Sequence, residues 1–129
     1  PETYKKELAD IAKFCTQTLN RNDYVYKNRE LMINRNILPL HPNHKLLYET
    51  ILQLSPSSVI ELGCGGGDHI KNINTIAPEI KLYGRDISTD QIKLSKERHP
   101  ELIAEIEQLD IYKSIIDLVK NRLDKAKSV

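Results

Sequence analysis

The sequence predicts an α/β fold, a parallel sheet packed with helices, and three observations predict it. Two short, mostly apolar stretches that read as strands, residues 59–62 and 80–83, are each followed by a polar turn and then a stretch with helical spacing. Four of the chain's five glycines, Gly63, Gly65, Gly66 and Gly67, are concentrated in the turn after the first run. The turn after the second run holds Ser88-Thr89-Asp90-Gln91, a capping box that starts a helix. A strand, a turn and a helix in this order, twice over, make a right-handed crossover unit and hence parallel strands.

Each element follows in order. Tyr4, Leu8, Ile11, Ala12, Cys15 and Leu19 lie on one face of a helix over 4–19. Residues 20–42 read as irregular, with one helical turn near 30–33, because Pro39 and Pro42 oppose regular structure. A second helix begins after Pro42 with Asn43 as its cap. It carries Leu47, Ile51 and Leu54 on one face and ends at Pro56. The strand over 59–62 leads through the glycine turn into a helix that starts at Asp68 and runs to Ala77-Pro78. The strand over 80–83 leads through Gly84-Arg85-Asp86 into a helix over 89–98. Residues 103–110 suggest a third strand. Ile115, Ile116, Val119 and Leu123 favour a helix over 112–126, with a fourth strand over 115–119 as the alternative. The whole chain, 1–129, reads as a single domain, with 1–45 as an N-terminal helical or lid segment and 46–129 as the core.

Composition narrows the function. A net charge of +1 draws in neither nucleic acid nor an anionic membrane, and no tryptophan and one phenylalanine argue against stacking on single strands. No apolar run approaches a membrane span, and the cysteine usage fits a reducing cytoplasm, where the protein is expected. The two cysteines make neither a disulfide framework nor a zinc pattern, and His41, His44, His69 and His99 lack metal-ligand spacing, so no metal is expected. A glycine cluster after a strand brings a ligand close to bare backbone. Gly63-Cys64-Gly65-Gly66-Gly67-Asp68 puts a carboxylate where a dinucleotide motif has its last glycine, which disfavours a pyrophosphate, and no Gly-Lys-Ser/Thr follows to make a P-loop. The turn suits a ligand without phosphates.

The pattern Glu61-x-Gly63-x-Gly65-x-Gly67 resembles the first motif of class I S-adenosylmethionine-dependent methyltransferases. Gly84-Arg85-Asp86-Ile87-Ser88, with its acid 19 positions after Gly67, resembles that family's second motif, and Leu109-Asp110-Ile111 resembles its third element. The resemblance covers residues 57–111 and implies a Rossmann-like three-layer sandwich with a parallel sheet. It implies S-adenosyl-L-methionine as cofactor. Backbone at Gly63, Cys64, Gly65 and Gly67 would lie against the methionine portion, with Glu61 orienting the turn or the ligand's ammonium. Asp86 would take the ribose hydroxyls, Ile87 one adenine face, and Asp110 with Ile111 the adenine edge.

Plainer readings stand beside these. Asp86 and Asp110 are also ordinary turn residues at strand ends. Cys64 reads as a small buried side chain without a neighbour to activate it, and His69 as solvent-facing. Tyr24 and Tyr26 are read either as a lid or as plain packing. Transfer of a methyl from sulfonium needs mainly in-line placement of the nucleophile, and no catalytic residue is identified. The strands read here are fewer than a complete domain of that family has, so the chain reads as part of a longer protein or as a truncated product. An incomplete sheet leaves a homodimer open. The leading expectation is methyl transfer to a small-molecule or metabolite acceptor. The alternatives are a non-catalytic cofactor-binding or interaction module and, behind it, a nicotinamide-dinucleotide domain.

Overall fold

The computed structural model describes residues 16–34 and 39–127. Most of the predicted helix over 4–19 lies outside them; residues 16–20 are irregular, with Leu19 fully buried. Two strands follow, β1 (Tyr24–Lys27) and β2 (Glu30–Ile33), paired antiparallel with Tyr24 opposite Ile33 and Lys27 opposite Glu30. This corrects the irregular reading with its helical turn. Asn28 and Arg29 both have positive φ, 54° and 63°, as a two-residue type I′ hairpin demands. Arginine is an uncommon choice for a left-handed position, which is why the turn is not visible in the sequence.

Helix α1 (Pro42–Leu54) is capped by His41 and not by Asn43: the His41 ring nitrogen Nδ1 accepts from the Asn43 N–H, and Pro42 takes the first helical position, where no N–H is needed. Ser55 ends the helix in the left-handed region. Leu31 of the hairpin is fully buried and its N–H donates to Glu49 of α1 at 2.8 Å.

The core is a three-stranded parallel sheet in the order β3 (Ser58–Leu62), β4 (Lys81–Asp86), β5 (Glu105–Gln108), with α2 (Asp68–Ile76) after β3 and α3 (Thr89–Arg98) after β4. Both strand-turn-helix units and the bounds of α3 match the sequence reading. The last segment is helical, α4 (Ile111–Lys127), not a fourth strand. Register aligns Glu61, Gly84 and Ile106 in one row across the sheet, and α2 and α3 pack over that row: Ile70 meets Gly84, and Ser95 with Ile106 crowds Gly67. Strand parity therefore puts the carboxylate of Glu61 on the helix-covered face.

The other face carries Ile60, Leu62, Tyr83 and Arg85, of which Ile60 and Leu62 are more than half exposed, and Arg85 bridges Glu105 and Glu107. Helix α4 has no buried residue, although Ile115, Ile116, Val119 and Leu123 recur at helical spacing. Parallel sheets are usually covered on both faces. Among the described residues, the sheet has helices α2 and α3 on one.

Candidate functional site

The carboxyl ends of β3, β4 and β5 form one rim, the place where ligands bind in open α/β sheets. The glycine turn stands on it. Gly63, Gly65 and Gly67 all have positive φ, 76°, 52° and 78°, so each is a position where a side chain would be strained. A Cβ on Gly63 would meet nothing within 4 Å, so its face is open, whereas Gly67 faces Ser95 at 3.2 Å. The first glycines keep the turn open to a ligand; the last lets α2 pack on α3. The turn is tied to β4 by Gly63 N–H and Cys64 N–H, which both donate to the Arg85 carbonyl, at 2.7 and 3.0 Å.

Asp86 closes the turn from the neighbouring strand. Its Oδ2 accepts from Gly65 N–H at 2.8 Å and its Oδ1 from Ser88 N–H at 2.9 Å. These are charge-assisted bonds, and each oxygen retains a lone pair for a ligand. Ser88 caps α3 through the Gln91 N–H, as the capping box predicts. The reciprocal half is not made, because Asp86 already holds the Ser88 N–H; Gln91 instead leans on Gly65, its Oε1 3.6 Å from where a Cβ would stand. Ile87 beside Asp86 is 59% exposed, an apolar plate on the rim. Leu109 N–H donates to the Asp86 carbonyl and brings Asp110 to the same rim. Asp110 Oδ1 accepts from Lys113 N–H at 3.0 Å, so the residue caps α4, with Ile111 as the first helical residue.

Glu61 is the electrostatic anomaly. One of its carboxyl oxygens is buried with no partner among the described residues. Burial, and secondarily the charge of Asp68, pushes its pKa up to about 7. A buried carboxyl without a donor is costly unless something supplies one, and a ligand ammonium beside the open face of Gly63 fits that need. Cys64 is buried, with its thiol pKa raised by burial and then by Glu61 and Asp86, which makes it a packing residue as read from the sequence. Asp68 is held by Arg98 at 3.2 Å and His99 at 2.7 Å.

His69 is not solvent-facing. It sits half-buried in the first turn of α2 with its Nδ1 2.8 Å from the Tyr48 hydroxyl, and its ring meets His44 edge-on, with centroids 4.6 Å apart. His41 follows at 5.2 Å from His44. Burial, then His44, lowers the His69 pKa, while Asp68 opposes the shift less strongly; burial, then His41, lowers that of His44. Three converging imidazoles invite a metal reading, but the hydrogen bonds oppose it. His41 Nδ1 accepts from a backbone N–H, which leaves the neutral ring's proton on Nε2, where a metal would have to bind. Among the described residues no group of His, Cys, Asp and Glu has metal-binding geometry.

Tyr48 and Asn72 were not singled out in the sequence. Both are fully buried. Asn72 Oδ1 accepts from Leu19 N–H at 2.8 Å, and its Nδ2 donates to the Gln17 carbonyl at 2.7 Å and to the Tyr48 hydroxyl at 2.9 Å. The one available signal was spacing: His69 and Asn72 stand one turn apart on α2 and face the same way. Asn72→Leu would leave the buried Leu19 N–H and the half-buried Gln17 carbonyl unpaired and take one of its two bonds from the Tyr48 hydroxyl, so we expect a loss of roughly 2–4 kcal/mol in chemical denaturation. A loss below about 0.5 kcal/mol would show the network to be idle. The lid reading of Tyr24 is corrected as well: its hydroxyl donates to the Thr75 carbonyl at 3.1 Å, at the end of α2 remote from the turn. Tyr26 lies at 36% exposure on the same strand.

No protein-family profile matches the chain, and no curated protein matches it. Solved structures do. A candidate caffeoyl-CoA O-methyltransferase from Staphylococcus aureus aligns over 81% of this chain and 43% of its own, with a TM-score of 0.50 and 14% identity. The methyltransferase domain of the bacterial CtHen1-C aligns over 53% of this chain and 39% of its own, with a TM-score of 0.48 and 17% identity. The plantazolicin methyltransferase BpumL, solved with SAH, aligns over 51% of this chain and 25% of its own, with a TM-score of 0.44 and 26% identity. The chain thus spans between 25% and 43% of the length of these proteins. With its parallel order β3-β4-β5, the glycine turn after the first strand and the acid at the end of the second, the described core has the Rossmann-like fold of class I methyltransferases.

Proposed function

We propose that this chain carries the cofactor-binding part of an S-adenosyl-L-methionine-dependent methyltransferase acting on a small-molecule acceptor. The observation that carries the reading is the unpartnered buried oxygen of Glu61 beside three left-handed glycines, on a rim whose next strand ends in Asp86. The residues fit the group. Glu61 would face the ammonium, Gly63 and Gly65 would lie along the methionine chain, the free lone pairs of Asp86 would accept from ribose hydroxyls, and Ile87 would cover an adenine face. Asp110 and Ile111 would close the adenine side, with Asp110 also capping α4. When bound, the cofactor supplies an electrophilic methyl on sulfonium. The chain's own part is to orient that methyl and to shield it from water, so that proximity does most of the catalytic work. A net charge of +1 favours a small acceptor over a nucleic acid.

Calorimetric titration of S-adenosylhomocysteine into the chain tests the reading, and pH sharpens it. The Glu61 carboxyl is raised above its ordinary value, so its neutral form stabilises the empty protein and that contribution is lost as pH rises through about 7. A ligand ammonium favours the charged form. Affinity should therefore climb between pH 5.5 and 7.5, by roughly a factor of ten per pH unit at most, with release of a proton on binding at the acid end. Glu61→Gln should flatten both the affinity profile and the proton release, and make the empty chain more stable than wild type at pH 8 by about 1 kcal/mol, a figure discounted for solvent screening. No binding at any pH, or the same pH profile in Glu61→Gln, would defeat the assignment.

A further inference from the structure

His69 has a defined tautomer, and the protein fixes it from two residues away. Leu19 N–H and the Gln17 carbonyl leave Asn72 only one orientation of its amide, so Asn72 Nδ2 must donate to the Tyr48 oxygen. Burial pushes the Tyr48 pKa up to about 12, so the phenol keeps its proton, and the acceptor within reach of it is His69 Nδ1 at 2.8 Å. A neutral His69 therefore carries its proton on Nε2. That nitrogen has no partner among the described residues and is not among the buried unpaired atoms, so it is an accessible donor. His69 belongs to the first turn of α2, two residues beyond Gly67, at the same end of the sheet as the glycine turn.

We propose that His69 positions the methyl acceptor, and that the acceptor atom is an oxygen: Nε2–H donates to one of its lone pairs while another attacks the methyl carbon. This rests on the methyltransferase reading above. An amine nitrogen has a single lone pair and cannot accept from Nε2–H and attack at once, whereas a hydroxyl, phenolate or carboxylate oxygen can. The O–C bond forms as the C–S bond breaks, its electron pair stays on sulfur, and a hydroxyl acceptor gives its proton to water. His69 is in this sense a substrate-contacting residue, and Tyr48 and Asn72 are positioning residues that act through it.

The test uses the full chain with ¹⁵N-labelled histidine, S-adenosylhomocysteine at saturation and phenol as the oxygen probe. Long-range proton–nitrogen spectra at pH 7.5 should show His69 as the Nε2–H tautomer, with its Nε2 signal moving on addition of millimolar phenol. His69→Gln, whose amide nitrogen replaces Nε2, should keep phenol affinity within threefold, while His69→Ala weakens it about tenfold; S-adenosylhomocysteine should bind both variants as it binds wild type. Tyr48→Phe should mix the two tautomers. An Nδ1–H tautomer in the wild type, an Nε2 signal blind to phenol, or equal losses in Gln and Ala would overturn the proposal. If His69→Ala instead weakened S-adenosylhomocysteine, the residue would belong to the cofactor site. If the wild-type chain failed to bind S-adenosylhomocysteine, the underlying methyltransferase reading would fall; binding of it without a response at His69 would remove only the present proposal.

Discussion

Asp86→Ala is expected to weaken S-adenosylhomocysteine binding by about 1.5–3 kcal/mol, some 10- to 150-fold, the range for hydrogen bonds to a charged group. The size follows from the two tasks of one carboxylate. It holds the Gly65 and Ser88 N–H groups, and so locks the glycine turn to the start of α3. Its remaining lone pairs would meet the ribose. Asp86→Asn should restore little, because an amide offers one acceptor and one donor where the backbone presents two donors, so Gly65 or Ser88 would face an N–H₂ group. The measurement is calorimetry on both variants, alongside thermal melts of the empty proteins. Loss of binding with an unchanged melting temperature would place the effect on the ligand; loss of both would place it on the turn. Unchanged affinity in Asp86→Ala would remove the second strand from the site.

The rim was legible because each part of it is local. Glycine reports backbone strain directly, and Gly63, Gly65 and Gly67 all adopt the positive φ that their clustering implied. Ser88 caps α3 because a side chain reaching three residues ahead is a short-range event. The His69–Tyr48–Asn72 network was not legible for the opposite reason. His69, Tyr48 and Asn72 come from two helices, and their bonds span 21 and 24 residues. Taken singly, a histidine at a helix start looks exposed. The hairpin was hidden for another cause: Asn28-Arg29 adopts a turn for which glycine is the usual second residue, and tertiary packing of Leu31 against α1 outweighs that preference. Glu61 lay between these cases. Its place in the motif was visible, but its missing partner depends on the strand parity that turns it under α2 and α3.

Gly84→Ala should cost about 1–3 kcal/mol of stability, the range for overpacking a filled core, or a fall of several degrees in melting temperature, and Gly84→Val more. The cause is space alone. A Cβ on Gly84 would stand 2.6 Å from Ile70 Cδ1, 2.9 Å from Cys64 Sγ and 3.2 Å from Cys64 Cβ. Ile70 is fully buried between the sheet and α2 and has no room to retreat, and Cys64 is part of the turn itself. Glycine at this point thus decides how closely α2 approaches β4, and through Cys64 it decides where Gly63 and Gly65 stand. The damage should spread from the core to the rim: Gly84→Ala is expected to lose S-adenosylhomocysteine affinity along with stability, though it touches no ligand. Ile70→Val removes the nearest methyl, so in the double variant the two losses should add to less than their sum, with a coupling of 0.5 kcal/mol or more for residues in contact. Strict additivity, or full affinity in a destabilised Gly84→Ala chain, would show that the packing under the sheet and the turn above it are independent.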